Sequence, residues 1–171
     1  MNKSLVLTGM MGVGKSTIGK GLAEKLTYKF IDVDKVIEKN EGCSINLIFK
    51  RKSESYFRKL ENDVTLKVLS KQKCVISLGG GAFLNNSIRR FSKKNTISFW
   101  LDVNLSELIK RLKKTQKRPL LYKKNLSETV SKIYYERKKT YSEADFRIKC
   151  DYLETKAIIE KILRFYESSR N

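Results

Sequence analysis

At 171 residues, 40% of them hydrophobic and only one a proline, the chain is long enough for one packed domain, and its composition excludes a disordered one. No apolar run approaches the roughly 20 residues that span a bilayer, and three widely spaced cysteines without a C-x-x-C pair exclude a disulfide framework or a cysteine metal site. The formal net charge of +19 would suit nucleic acid, but the lysines are spread along the whole chain without a basic arm, so they read as a solvated surface that draws in anions.

The first predicted element is a strand, Leu5 to Thr8, which runs directly into Gly9-Met10-Met11-Gly12-Val13-Gly14-Lys15-Ser16. Because this apolar start merges with the loop and has no small-residue cleavage site before it, it reads as a strand and not a secretion signal, which implies a cytoplasmic protein. The eight residues fill G-x-x-x-x-G-K-[S/T], and Ile18, Leu22, Ala23 and Leu26 continue as a helix. Glycines permit backbone angles that turn successive N–H groups inward around phosphate oxygens at the positive end of that helix. Lys15 is then placed for the β- and γ-phosphates of a nucleoside triphosphate, and the Ser16 hydroxyl for Mg²⁺.

Lys29 to Val33 reads as a second strand, followed by helical stretches from about Lys35 to Asn40 and near Ile45 to Phe49. Phe57, Leu60, Val64 and Val68 space an amphipathic helix over 54 to 70, and Cys74 to Leu78 is a buried parallel strand ended by Gly79, Gly80 and Gly81. Thr96 to Leu101 is the next strand. Ser106 to Lys114 is a helix with Ser106 as its candidate N-cap, and 115 to 125 is a basic surface loop around Pro119. A helix from Leu126 to Ala144, a strand from Phe146 to Cys150 and a helix around Ile158 to Tyr166 complete the chain. With no repeat or linker, this alternation predicts a single domain over 1–171, a three-layer α/β/α fold around a parallel sheet with ligands at the carboxyl ends of its strands.

Asp32 and Asp34 close the second strand, two residues apart and so on one side of an extended chain. Asp32 suits the water shell of Mg²⁺, while Asp34 either accepts the proton of an attacking hydroxyl or caps the next helix. Arg137 lies four residues from both Ile133 and Tyr141 on an apolar stripe, so it should point inward and meet either a structural carboxylate or a substrate anion. Arg58 has Glu61 three residues on to orient it, and Arg118 in the loop is placed to close over a transferring phosphate.

The ordered segments GMMGVGKST (Gly9 to Thr17), FIDVD (Phe30 to Asp34), FRKLE (Phe57 to Glu61), VISLGGG (Val75 to Gly81), KRPLL (Lys117 to Leu121) and ERKKTYSEAD (Glu136 to Asp145) together resemble the shikimate kinase family, a nucleoside-monophosphate-kinase-like branch of P-loop proteins. The resemblance runs over about residues 4 to 145. It implies ATP-dependent phosphorylation of the 3-hydroxyl of shikimate on the way to chorismate and a five-stranded sheet of order 2-3-1-4-5; a monomer with neither nucleic acid nor membrane as partner is expected beside it.

By the same resemblance Gly12, Val13, Gly14, Lys15, Ser16 and Thr17 hold ATP, Arg111 lies against its adenine and Arg118 is the lid arginine. Ser16 and Asp32 serve Mg²⁺, and Asp34 binds the shikimate hydroxyls and acts as base. Arg58 and Arg137 hold the carboxylate, and Gly79, Gly80 and Gly81 line the same pocket. The substrate-binding segment is expected at about 33 to 61 and a lid at about 112 to 125. Ser53-Glu54 stands where the family has glycine and glutamate, and after Asp145 its adenine loop has no match, leaving Arg147 unassigned. Gluconate or a nucleoside monophosphate is the alternative acceptor, and nucleic-acid-stimulated hydrolysis the alternative activity.

Overall fold

The computed structural model describes residues 3–114 and 125–169. Its strands are β1 (Ser4–Thr8), β2 (Lys29–Asp32), β3 (Cys74–Ser77), β4 (Thr96–Asp102) and β5 (Phe146–Lys149). The helices are α1 (Lys15–Leu26), α2 (Val33–Glu41), α3 (Ile45–Arg51), α4 (Glu54–Leu69), α5 (Asn86–Asn95), α6 (Leu105–Lys113), α7 (Leu126–Tyr141) and α8 (Thr155–Ser168). All strand pairs are parallel, in the order β2-β3-β1-β4-β5, as the resemblance implied.

Every residue of β1, β3 and β4 is buried, whereas β2 and β5 at the edges are partly exposed. That is why the central strands read as near-continuous apolar runs: layers cover both of their faces. The chain steps from β1 out to β2 and then returns through β3, β4 and β5 in the opposite direction. Right-handed crossovers therefore put α1 on one face and α4 and α5 on the other. The contacts agree, for α1 packs on α8, while α4 packs on α2 and α5.

Between β1 and β3 the connections diverge, and that switch point is where a parallel sheet opens a crevice at its carboxyl edge. The phosphate loop leaves β1 there, and Gly79 to Gly81 leave β3 beside it, with Leu78 N–H donating to Leu7 O at 3.1 Å. The two glycine segments thus flank one crevice because of strand order alone.

Several local expectations are corrected. The helix α5 was not foreseen: its inner face holds only Ile88 and Ser92 as buried residues in a strongly basic stretch, so no apolar stripe announces it. It is started by Asn85, whose side chain accepts from Ser87 N. Asn104, not Ser106, caps α6, accepting from Glu107 N at 3.0 Å, and the Ser106 hydroxyl merely donates to the cap. The helix α7 stops at Tyr141 and not at Ala144. Ser53, standing where the family has glycine, caps α4 by accepting from Tyr56 N at 3.1 Å.

Candidate active site

Gly9, Gly12 and Gly14 all have positive φ, and at Gly14, with φ 96°, a side chain would be strained at the step that starts α1. Lys15 is 8% exposed and donates to the carbonyls of Gly9 and Met10, both at 2.9 Å, so its ammonium is folded onto the loop it follows. One cleft of about 250 Å³ is lined by Gly12, Gly14, Lys15, Ser16 and Thr17 together with Asp32, Asp34 and Gly80. Val13 is buried in the core, which leaves its backbone as the part a ligand can meet.

The Ser16 hydroxyl donates to Asp32 Oδ2 at 2.6 Å. Among the described residues no group of three or more His, Cys, Asp or Glu is placed to hold a metal. A hydroxyl and a carboxylate side by side at a phosphate cradle fit Mg²⁺, which takes most of its ligands from water and phosphate oxygens.

Asp32 and Asp34 are not on one face of a strand as expected. The helix α2 begins at Val33, with Asp32 as its N-cap, accepting from Lys35 N at 3.4 Å, and Asp34 in its first turn. The capping role weighed for Asp34 therefore belongs to Asp32, and Asp34 lies over Gly79 instead. A Cβ built on Gly79 would stand 2.6 Å from Asp34 Oδ1 and 2.7 Å from Glu61 Oε1.

A second, larger cleft of about 420 Å³ shares Ser16, Asp32, Asp34 and Gly80 with the first. Arg58, Glu61, Gly79, Gly81 and Arg137 also line it, and Phe49 and Phe57 form an apolar wall with ring centroids 4.7 Å apart. It joins a phosphate cradle to a cavity with two arginines, one apolar side and a carboxylate at the junction. That is a site for moving a phosphoryl group onto a small, anionic, hydroxyl-bearing acceptor.

Arg58 Nη1 donates to Glu61 Oε2 at 2.7 Å, as its spacing implied, and its Nε and Nη2 reach Glu54 Oε1 at 3.3 and 3.2 Å. Glu61 is 3% exposed, and burial pushes its carboxyl above the usual range although the Arg58 guanidinium opposes this. Gly81 admits Arg58, for a Cβ there would lie 2.5 Å from Arg58 Nη1. Arg137 donates from Nη1 to Gly80 O at 2.9 Å. Among the described residues no carboxylate comes within ion-pair distance of Arg137, so the structural salt bridge weighed for it is not formed there.

Arg111 lines neither cleft; it sits in the last turn of α6 with Nε 3.1 Å from Glu107 Oε1. Its neighbour Leu112 packs on the phosphate loop, since a Cβ on Gly12 would stand 2.8 Å from Leu112 Cδ2. Arg118 and most of the expected lid lie outside the described residues. Arg147, left unassigned by the resemblance, pairs with buried Asp102 through Nε at 2.9 Å and also Nη2, and lies 4.8 Å over the Trp100 ring.

Sequence reasoning missed Glu54 as a second partner of Arg58, although the four-residue spacing was visible. It also missed the aromatic wall, because Phe49 and Phe57 sit on different helices.

The family model described as shikimate kinase matches residues 11–167, extending past Asp145, where the motif resemblance stopped. A shikimate kinase of Sulfurihydrogenibium sp. (strain YO3AOP1) is 45% identical over 161 residues, 94% of this chain and 96% of that one. Among solved structures, shikimate kinase from Acinetobacter baumannii in complex with shikimate superposes with a TM-score of 0.93 at 30% identity, covering 98% of this chain and 94% of that one. Shikimate kinase from Aquifex aeolicus gives 0.87 at 36% identity, covering 98% of each chain.

Proposed function

The chain belongs to the shikimate kinase family, whose members are ATP-dependent kinases, and on that premise we propose how its two joined clefts divide the reaction. ATP takes the cleft of the phosphate loop, and shikimate takes the cleft of Arg58 and Arg137. The observation that supports this reading is the shared boundary of Ser16, Asp32, Asp34 and Gly80, where two ligands bound in the two clefts would meet beside the same two carboxylates.

Backbone N–H groups from Gly12 to Thr17 hold the phosphates, and Lys15 exchanges its bonds to Gly9 O and Met10 O for phosphate oxygens. Mg²⁺, held through Ser16 and Asp32, supplies neutralisation of phosphate charge when bound. Arg58, already oriented by Glu54 and Glu61, and Arg137, with no carboxylate of its own among the described residues, clasp the substrate carboxylate. Phe49 and Phe57 cover the ring of the acceptor and exclude water. Asp34 orients the 3-hydroxyl and takes its proton as that oxygen bonds to the γ-phosphorus and the bond to the β-phosphate oxygen breaks, with ADP as the leaving group. Arg111 meets the adenine, and Arg118 closes over the transferring group from a lid at about 112 to 125.

The reading includes one kinase domain with its acceptor segment at about 33 to 61, acting as a cytoplasmic monomer. Three free cysteines support the reducing compartment, and among the described residues no helix is long and apolar enough to cross a membrane. ADP release from ATP and Mg²⁺, with shikimate, gluconate, AMP, CMP and single-stranded DNA offered separately, tests it. Turnover is expected with shikimate alone. Activity only with another small acceptor would cancel the Arg58 and Arg137 roles, and stimulation only by DNA would assign the +19 charge a partner.

A further inference from the structure

Tyr141, in the last turn of α7, is 1% exposed, yet its hydroxyl donates a short 2.5 Å hydrogen bond to Gly80 O. Arg137 Nη1, one helical turn earlier, donates to the same oxygen at 2.9 Å. A single carbonyl thus receives both donors from one face of α7, and it belongs to one of the four residues that line both clefts. The phenol is held on its other sides by Trp100, with ring centroids 6.2 Å apart, and by Met10 Sδ of the phosphate loop at 3.9 Å. Burial pushes its pKa up, so the hydroxyl keeps its proton and remains a donor.

We propose that Tyr141 is a positioning residue for the acceptor: its hydroxyl fixes the Gly80 carbonyl, and that carbonyl aims the Arg137 guanidinium into the acceptor cleft. The chain of contacts runs from phosphate loop to Tyr141, from Tyr141 to Gly80 O, and from Gly80 O to Arg137. Arg137 uses one of its five N–H groups on the carbonyl, which leaves other N–H groups of the planar fork to receive a substrate carboxylate. An arginine held in this way loses less side-chain freedom on binding than one that must find its rotamer. Gly80 itself lies close under the loop, for a Cβ there would be 3.4 Å from Met11 N and 3.7 Å from Arg137 Nη1. The inference rests on the reading of Arg137 as a ligand of the acceptor carboxylate.

Steady-state kinetics on the native enzyme, Tyr141→Phe, Arg137→Ala and the double variant test it. Tyr141→Phe should raise KM for shikimate about five- to tenfold, the weight of one positioning hydrogen bond, with KM for ATP within about twofold of native. In the Arg137→Ala background the same change should alter KM for shikimate by less than about twofold, because no guanidinium remains to be aimed. A native shikimate KM in Tyr141→Phe overturns the proposal, as do additive losses in the double variant or equal rises in both KM values.

If Arg137→Ala itself leaves KM for shikimate unchanged, the carboxylate reading falls. If it raises KM while Tyr141→Phe does not, only the positioning role falls. Should Tyr141→Phe fail to fold, side-chain NMR of the native protein decides: Arg137 is expected to show separate, slowly exchanging Nη signals, and averaged signals overturn the proposal.

Discussion

Replacing Gly79 by alanine adds one methyl group between two carboxylates, and the structure says how far they must move. That carbon would arrive 2.6 Å from Asp34 Oδ1 and 2.7 Å from Glu61 Oε1, where real Cβ contacts below 3.0 Å essentially never occur. Both oxygens must therefore retreat by roughly 0.3 to 0.4 Å, and further to reach relaxed contact. Gly79 is not among the positive-φ residues, so the backbone accepts alanine and the cost falls on the site and not on the fold. A misplacement of about 1 Å at reacting groups costs on the order of a hundredfold, so this one should cost about five- to tenfold in kcat/KM for shikimate. In barrier terms that is about 1 to 1.4 kcal/mol. ADP release at saturating ATP measures it, with Gly42→Ala as control, because nothing lies within 4 Å of a Cβ there and only the φ of 65° is strained. The control should lose about 1 kcal/mol of stability and no activity. A Gly79→Ala enzyme within twofold of native would refute the reasoning that a methyl group at this position displaces Asp34 and Glu61 from where the reaction needs them.

Asp34→Asn keeps the shape but not the base, so kcat should fall by about 10² to 10⁴ while ATP binding, followed by titration calorimetry, stays near native; unaltered turnover would remove Asp34 from the proton transfer. The pH dependence of stability tests Glu61. Burial raises its folded pKa, so between the unfolded and folded values the native state holds more protons than the unfolded chain. Stability from this group is therefore full below the unfolded pKa and declines as pH rises through the raised folded one. Glu61→Gln cannot titrate, and its denaturant midpoints over roughly pH 4 to 8 should lack that decline. Parallel curves for the two proteins would show that Glu61 ionises as in the unfolded chain.

The donor half of the site was legible because it is contiguous: strand, loop and helix follow one another, and the spacing of Gly9, Gly14, Lys15 and Ser16 carries the geometry with it. Arg137 was legible as inward-facing because α7 supplies the period, and Arg58 with Glu61 because they share a helix. What could not be read were contacts across long separations. Gly80 O lies 57 residues from Arg137 and 61 from Tyr141, and nothing local in either segment signals the meeting. The pair Asp32 and Asp34 departs from the strand geometry for a local reason. The extended chain does not continue through Val33, because Asp32 caps α2 and the backbone turns helical at the residue between them. The helix α5 escaped because its outward face is basic and its inward face short.

The strand order has a consequence for how such a protein can change. The donor cradle belongs to β1 and α1, whereas Asp34, Phe49, Phe57, Arg58 and Glu61 all belong to the single excursion between β2 and β3. That excursion leaves and rejoins the sheet on adjacent strands without passing through the cradle. Acceptor preference can therefore drift by substitution within one continuous stretch of chain while the nucleotide machinery is inherited unaltered. Ser16, Asp32, Asp34 and Gly80, which line both clefts, are the positions at which the two lineages of change must remain compatible.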